Sequence, residues 1–418
     1  MLKKINTQLI LTIYIIINIL YLLVSSYLWR YKITTLQNYS YGFYIFLIIN
    51  IIFIIYLFIK KKYKKNNIDI FIILCILFGI ISTMFAYNIH DSIFGFKNRY
   101  EGLLQIIYYL TLLFLTTFVN KKYKKAIINT IIITGIVEAI YGILQIVDGF
   151  KFIQVVGKGF KDAKGLITNS NFYGTYILIS LTYSLGLFID EKSNKKIIYF
   201  ILYCLFITSL LMSNALSSIV GLICVFIYII IYMLINKTYL KTILAILSFI
   251  IILVCLTNFK MTDIMTDIIR TKNEITEIGA GNLDGHFGND RMVVWKETIK
   301  EVPKHIFTGI GIDNFYYLFD GKPLTLYGFI QYDKAHNELL QILVTQGIFS
   351  LLSYIGLYGI IVIKGIKISF KDKKIYLILP VIGYLVQGFF NISVIEVAPL
   401  FYISLGLLVE RNISEKTI

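Results

Sequence analysis

Long apolar runs, each of about 20 residues, recur along this chain and constrain its fold more than any other feature. The first extends from about Leu9 to Leu28 and contains no charged residue. Runs of this length are typical of transmembrane helices, whereas a β-barrel would show short alternating segments. With 57% hydrophobic and 15% charged residues, a soluble fold could not cover its apolar surface. The sequence therefore predicts an all-α, polytopic helical membrane protein.

The same runs predict about twelve transmembrane helices, at 8–28, 41–59, 68–87, 101–119, 126–147, 171–189, 197–213, 216–235, 242–258, 344–363, 375–391 and 398–410. They form one integral membrane domain, in which helices 1–9 occupy residues 1–258 and helices 10–12 occupy 337–418. Residues 259–336 form one large helical extracytoplasmic loop, which we expect to carry the catalytic region.

Lysine clusters fall in every second loop, for example Lys60 to Lys65 and Lys121 to Lys125, which is the positive-inside pattern. We therefore expect both termini in the cytoplasm and the long loop outside the plasma (inner) membrane. Topology accounts for the net charge of +16, so no nucleic-acid partner is predicted.

Within the long loop, Arg291 to Val302 has the pattern of an amphipathic helix. Met292, Trp295 and Ile299 fall on one apolar stripe with Val302, and Pro303 follows. We expect Trp295 to lie at the bilayer interface, as tryptophans often do.

The stretch from Asp333 to Gln341 closes the long loop and opens a membrane helix. It places His336 at a helix N-terminus, where the helix dipole disfavours the imidazolium, so we expect a neutral histidine that can accept a proton. Glu338, Gln341 and Thr345 share a polar face that can line a cavity. The alternative is that His336 is an interfacial residue without a chemical role.

Cations in the external loops suggest an anionic ligand, with simple solvation as the alternative. Arginine binds phosphate oxygens through a fixed fork, and the outward-facing arginines are Arg30, Arg99, Arg270 and Arg291. The alternative for Arg291 is a capping or salt-bridge role with Asp290 or Glu297. The loop before the sixth span adds Lys151, Lys158, Lys161 and Lys164.

Glu138 lies in the middle of the fifth predicted span. A carboxylate inside a membrane is a functional candidate, and the alternative is a hydrogen-bonded packing residue. The sequence contains no Walker loop, no HExxH and no Cys/His cluster, so no metal site or cofactor is predicted.

Several short motifs resemble, in their order and spacing, the O-antigen ligase / Wzy-type polymerase family, and the resemblance covers most of the chain. They are Arg99 to Gly102, Tyr141 to Gln145, Asn169 to Asn171, Arg291-x-x-x-Trp295, Thr308 to Phe315, Asp333 to Gln341 with Gly347, and Gln387 to Asn391 through Pro399. The resemblance implies a GT-C-like, metal-independent membrane glycosyltransferase. Such an enzyme takes a glycan from undecaprenyl diphosphate and attaches it to a glycan, lipid or protein acceptor during lipopolysaccharide or capsule biosynthesis.

The resemblance also implies roles for individual residues. The family's loop histidine corresponds to His336, the general base for the acceptor hydroxyl, and its loop arginine corresponds to Arg291, which would hold the diphosphate. Where the family commonly has a Ser-Arg pair, this chain has Ser213 and Asn214. The missing charge would be supplied by Arg99, Lys161 or Lys164, while Glu338, Asn214 and Glu138 are possible supporting residues.

Three alternatives remain open at this point. One is a flippase or other transporter of lipid-linked oligosaccharides, which would depend on Glu138. Another is a non-catalytic partner in a polysaccharide assembly complex, favoured by the asparagine at position 214. A metal-dependent enzyme would use Asp284, Asp290 or Asp313.

Overall fold

The computed structural model describes residues 7–60, 62–147, 161–279, 291–319 and 332–411. Within these ranges the regular elements are helices. The α-helices are α1 (Thr7–Arg30), α2 (Leu36–Ile59), α3 (Ile68–Met84), α4 (Ile89–Phe94), α5 (Leu103–Thr116), α6 (Lys121–Ile146), α7 (Ser170–Asp190), α8 (Lys195–Met212), α9 (Leu216–Asn236), α10 (Tyr239–Asn258), α11 (Ile264–Gly279), α12 (Arg291–His305), α13 (Glu338–Asp372), α14 (Leu379–Gly388) and α15 (Ala398–Leu408). Short 3-10 turns lie at Phe315–Phe319 and Ile375–Leu377.

Eight of the described helices are long and apolar enough to cross a membrane, namely α1, α2, α6, α7, α8, α9, α10 and α13. Shorter apolar helices occupy Ile68–Met84, Leu103–Thr116, Ile375–Gly388 and Ala398–Leu408. Each of the twelve intervals predicted from the sequence overlaps one of these helices. The chain is therefore a polytopic helical membrane protein, as predicted.

The bundle is organised around α7, whose apolar residues are buried throughout. It packs against α8, α6, α9 and α14. By contrast, only 22% of the most apolar 18-residue stretch of α2, and 17% of that of α10, is buried inside the protein. A helix in lipid satisfies its own backbone hydrogen bonds, so these helices can turn apolar side chains outward without cost.

Polar side chains join the helices inside the bundle. The Tyr14 hydroxyl donates to Asn50 Oδ1 at 2.6 Å, and Asn50 donates to the Thr111 hydroxyl at 2.9 Å. The Tyr108 hydroxyl donates to Asn18 Oδ1 at 2.8 Å. Such bonds contribute roughly 0.6 kcal/mol each between membrane helices, and here they fix α1, α2 and α5 relative to one another.

Helix α12 covers a small apolar cluster next to the start of α13. Val294 on α12 is fully buried against Phe315, Ala335 and Val344. The stripe predicted from the sequence is not this face, because Met292 and Ile299 on the stripe are 39% and 59% exposed. The buried face of α12 is instead formed by Val294 and Thr298. The prediction was also wrong about Pro303, which lies inside α12 and does not follow it.

Helix α13 begins six residues before the span predicted at 344–363 and is broken at Gly347, where φ is +82°. The segment after α12 runs alongside the break and bonds to it through the backbone. The Ile310 amide donates to Val344 O at 3.2 Å, and the Gly311 amide donates to Thr345 O at 2.9 Å. The Ile348 amide donates to Ile306 O at 2.7 Å. The break therefore attaches the segment after α12 directly to a membrane helix.

Replacing Gly347 by alanine should destabilise the protein. A Cβ at this position would meet the backbone carbonyl of Phe307, and the left-handed backbone adds strain of about 1–3 kcal/mol. Gly359, in the same helix, has open space around its Cβ position. Thermal unfolding of detergent-purified protein should therefore show a lower melting temperature for Gly347→Ala and no loss for Gly359→Ala. Equal melting temperatures would contradict this assignment.

Candidate active site

His336 lies immediately before α13, in a backbone conformation with φ of +52°. The N-cap residue is Asn337, whose side chain accepts a hydrogen bond from the Leu340 amide at 2.9 Å. A left-handed conformation costs a non-glycine residue about 1–3 kcal/mol and persists only where its surroundings hold it.

The neighbouring residue Ala335 supplies that support, because both of its backbone groups are bonded to side chains. Its amide donates to Gln341 Oε1 at 2.7 Å. Its carbonyl accepts from Trp295 Nε1 at 2.9 Å. Ala335 is fully buried, so α12 and α13 together fix the backbone that presents His336. Neither Gln341 nor Trp295 was predicted to hold this position.

The imidazole of His336 is held neutral by its surroundings. The pKa of His336 is lowered from the ordinary 6.5 to about 4 by burial and by the positive charges of Arg291 and Arg99, against the opposing effect of Asp333. Its Nδ1 atom is buried and bonds to no described residue. The sequence predicted the neutral form from the helix dipole, whereas the structure indicates burial and two guanidinium groups as causes.

Arg291 is the first residue of α12 and forms no ion pair with any described residue. The predicted alternative partner Glu297 instead accepts from Lys300 at 2.7 Å, and Asp290 lies outside the described residues. Burial lowers the pKa of Arg291. Within the described part of the chain, Arg291 is thus an uncommitted, partly buried guanidinium close enough to His336 to affect its charge.

Arg99, in contrast, is committed to a carboxylate. Its Nε and Nη2 atoms donate to Asp333 at 2.7 and 3.0 Å, and it lies over the Phe172 ring at 5.7 Å. Although burial acts in the opposite direction in both cases, this pairing raises the pKa of Arg99 and lowers that of Asp333. The structure therefore brings Arg99, Arg291 and His336 together. Of the two arginines, only Arg291 has a guanidinium that forms no ion pair with a described carboxylate.

Beneath the histidine segment lies a buried ion network that sequence reasoning missed. Lys334 Nζ is 2.6 Å from Asp313 Oδ1 and 3.3 Å from Glu101 Oε2. All three side chains are buried, and Glu338 lines the same cavity of about 50 Å³. The sequence did contain a signal for this network, because all of these residues fall within the short motifs described above. Buried charges require such partners.

Lys161, Lys164 and Asn214 occupy a different region. Lys161 Nζ pairs with Asp263 at 2.8 Å, and its side chain is 79% exposed. Asn214 donates to Asp162 at 2.6 Å and accepts from the Asp263 amide at 2.9 Å. The Lys164 amide donates to a glutamine side chain on α6. These contacts connect loops and do not reach His336, so diphosphate binding by these residues stays a prediction.

Glu138 is fully buried on α6, where its Oε2 accepts from the Leu166 amide at 2.8 Å. It supports the turn at Gly165, whose φ is +57°, just before α7. This geometry corresponds to the packing role considered as the alternative.

Among the described residues, no group of three or more His, Cys, Asp or Glu side chains is arranged to hold a metal ion. Asp284 and Asp290 lie outside these residues. Asp313 is bonded to Lys334 and to the amides of Phe96 and Glu101, so its oxygens already have partners.

The fold and this site together define a membrane protein with a neutral histidine at one end of its helix bundle, beside an arginine that no described residue pairs with. Residues 201–355 match the family model described as Wzy_C, O-antigen ligase, which confirms the predicted resemblance over this range. The motifs at 99–102, 141–145, 169–171 and 387–399 lie outside the match, and their assignment stays a prediction. The matched range includes Arg291, Asp313 and His336. A comparison with curated proteins found no match. The family match and the apolar helices support a membrane glycan ligase role.

The positive charge of Arg291 should have a measurable effect on the pKa of His336. Removing this cation with Arg291→Gln should raise the pKa of His336 from about 4 towards its ordinary value, because the imidazolium would lose a repulsive neighbour. The measurement is a pH titration of the histidine ¹³C signals, with His336→Asn to assign the resonance. Arg270→Gln is the matched control, since Arg270 pairs with Asp267 at 3.1 Å on α11. An unperturbed titration of His336 near pH 6.5 in the wild type would contradict the geometry.

Proposed function

We propose that this protein is an O-antigen ligase/polymerase-type glycosyltransferase. It transfers a glycan from undecaprenyl diphosphate to an acceptor hydroxyl at the outer face of the plasma membrane, and it uses no metal ion or other cofactor. The observation that carries the proposal is a neutral His336 near Arg291, whose guanidinium forms no ion pair with any described residue. In this proposal the chain crosses the membrane twelve times, both termini are cytoplasmic, and residues 259–336 form the external loop.

The acceptor hydroxyl would lose its proton to His336 as its oxygen attacks the anomeric carbon of the donor sugar. The new glycosidic bond forms while the bond from that carbon to the diphosphate oxygen breaks, and the leaving diphosphate takes the electron pair. Arg291 neutralises the charge that develops on the diphosphate, a role that a metal ion fills in other transferases. The proton on His336 then passes to solvent or to the diphosphate.

The low pKa of His336 fits this sequence of events. In the free protein two guanidinium groups disfavour the imidazolium, so the histidine remains ready to accept a proton. A bound diphosphate would place negative charge beside Arg291 and offset that repulsion. His336 would therefore become a stronger base when the donor is in place.

The proposal predicts large losses from single changes at the site. His336→Asn should lower transfer by about 10²–10⁴-fold, because no base remains; asparagine is chosen because it tolerates a positive φ. Arg291→Gln should lower transfer by about 10²–10³-fold, as expected for a lost charge-stabilising donor. Transfer from a diphosphate-linked polyprenyl glycan in membranes measures both, with Arg270→Gln as the control.

Two outcomes would oppose the proposal. Loss of activity in EDTA, restored by a divalent ion, would indicate the metal-dependent alternative. Wild-type-like glycan from His336→Asn together with loss of function in Glu138→Gln would favour the transporter.

A further inference from the structure

A second and larger cavity, of about 870 Å³, opens beside Arg99. Its walls come from the loop between α1 and α2, the turn at Asn98 to Tyr100, the start of α7 and the segment before α15. The volume falls within the roughly 300–1,000 Å³ typical of small-molecule sites. Asp333 lines the cavity and influences the pKa of His336, so the cavity adjoins the candidate active site.

Several polar side chains line this cavity. Glu396 is only 4% exposed yet lines the cavity, and its carboxyl receives no side-chain hydrogen bond from another described residue. Burial raises the pKa of Glu396 to about 7. The side-chain amides of Asn38 and Asn98, both exposed, and the indole of Trp29 also line the cavity. A few polar groups on the wall of a cavity fix the orientation of a ligand, so this wall is suited to a ligand that forms hydrogen bonds.

The charges of the cavity argue against diphosphate as its occupant. Lys32 and Arg99 are opposed by Asp333 and Glu396 in the same lining. The Arg99 guanidinium is already paired with Asp333, whereas Arg291 has no such partner among the described residues. A diphosphate placed here would face two carboxylates, so the cavity suits an uncharged, polar ligand.

Sugars have the required chemistry. Each hydroxyl both donates and accepts hydrogen bonds, so it can donate to a carboxylate and exchange bonds with amides. The C–H face of a sugar ring is apolar and can pack on an indole, which also offers one N–H donor.

We propose that this cavity is a glycan subsite, in which Glu396, Asn38 and Asn98 bind sugar hydroxyls and Trp29 packs against a sugar ring. The assignment of a glycan, from either the donor or the acceptor, rests on the proposed function. Under this proposal the diphosphate binds at Arg291 and the sugar binds in the cavity.

The chain contains only two tryptophans, Trp29 and Trp295. Trp295 is kept because it holds the Ala335 backbone, and a ligand-induced change in tryptophan emission that is lost in Trp29→Phe is assigned to the cavity. Three probes would be added to the purified full-length protein. The first is the oligosaccharide released by mild acid from the lipid-linked donor of the same cells. The second is a fragment of the finished surface glycan, and the third is undecaprenyl diphosphate without sugar.

A shift in Trp29 emission with the first or the second probe is expected, and it assigns the subsite to the donor or the acceptor glycan. Glu396→Gln and Asn98→Gly should each weaken this binding by at least about tenfold, the equivalent of 1.4 kcal/mol. Glycine is chosen at position 98 because it keeps the left-handed backbone, whose φ is +74°. Glu301→Gln, a change at a half-buried residue of α12 that pairs with Lys304, should leave it unchanged. Because Asn98 is exposed, its variant keeps the test valid if Glu396→Gln folds poorly.

A shift with undecaprenyl diphosphate alone, or no shift with either glycan, would overturn the subsite. The proposed function is tested separately with His336→Asn, which does not alter the cavity. If His336→Asn still transfers glycan while Trp29 responds to sugar, the proposed mechanism fails and the subsite stands. If transfer requires His336 while the Trp29 emission does not change with either glycan, the subsite fails and the proposed mechanism stands.

Discussion

The buried ammonium group of Lys334 connects most of the elements on which the candidate site depends. It pairs with Asp313 and Glu101, and Glu101 in turn accepts hydrogen bonds from Tyr109 and Ser393 at 2.9 Å each. One cation thus joins the histidine segment, the turn after α12, the start of α5 and the segment before α15. Breaking a buried ion pair by removing one partner costs about 3–5 kcal/mol, so these elements should shift or unfold together when Lys334 is lost.

Much of the architecture could be predicted because a membrane restricts the possible structures. A spanning segment must satisfy its own backbone hydrogen bonds, so long apolar runs predict helices with few alternatives. His336 and Arg291 could be selected for a related reason, since polar residues at a membrane boundary are few and conspicuous. The family match covers both positions, while their roles rest on the geometry and on the proposed reaction.

Other features depend on contacts between distant parts of the chain and left little trace in the sequence. Arg99 meets Asp333 across 234 positions, and no local pattern indicates that Arg99 is paired in this way while Arg291 forms no ion pair with a described residue. The break at Gly347 is stabilised by bonds from the segment after α12, so a helical pattern alone suggested continuity. Glu396 lies in a mostly apolar stretch and becomes noticeable only when the cavity is seen.

The left-handed backbone at His336 also has an evolutionary consequence. Asparagine, aspartate and glycine tolerate this conformation better than most residues. If His336 is the base of the proposed reaction, a gene released from selection for that reaction can replace the histidine by one of them with little damage to folding. Among descendants of this sequence, the residue at this single position would then distinguish lineages that retain the proposed chemistry from those that keep only the fold.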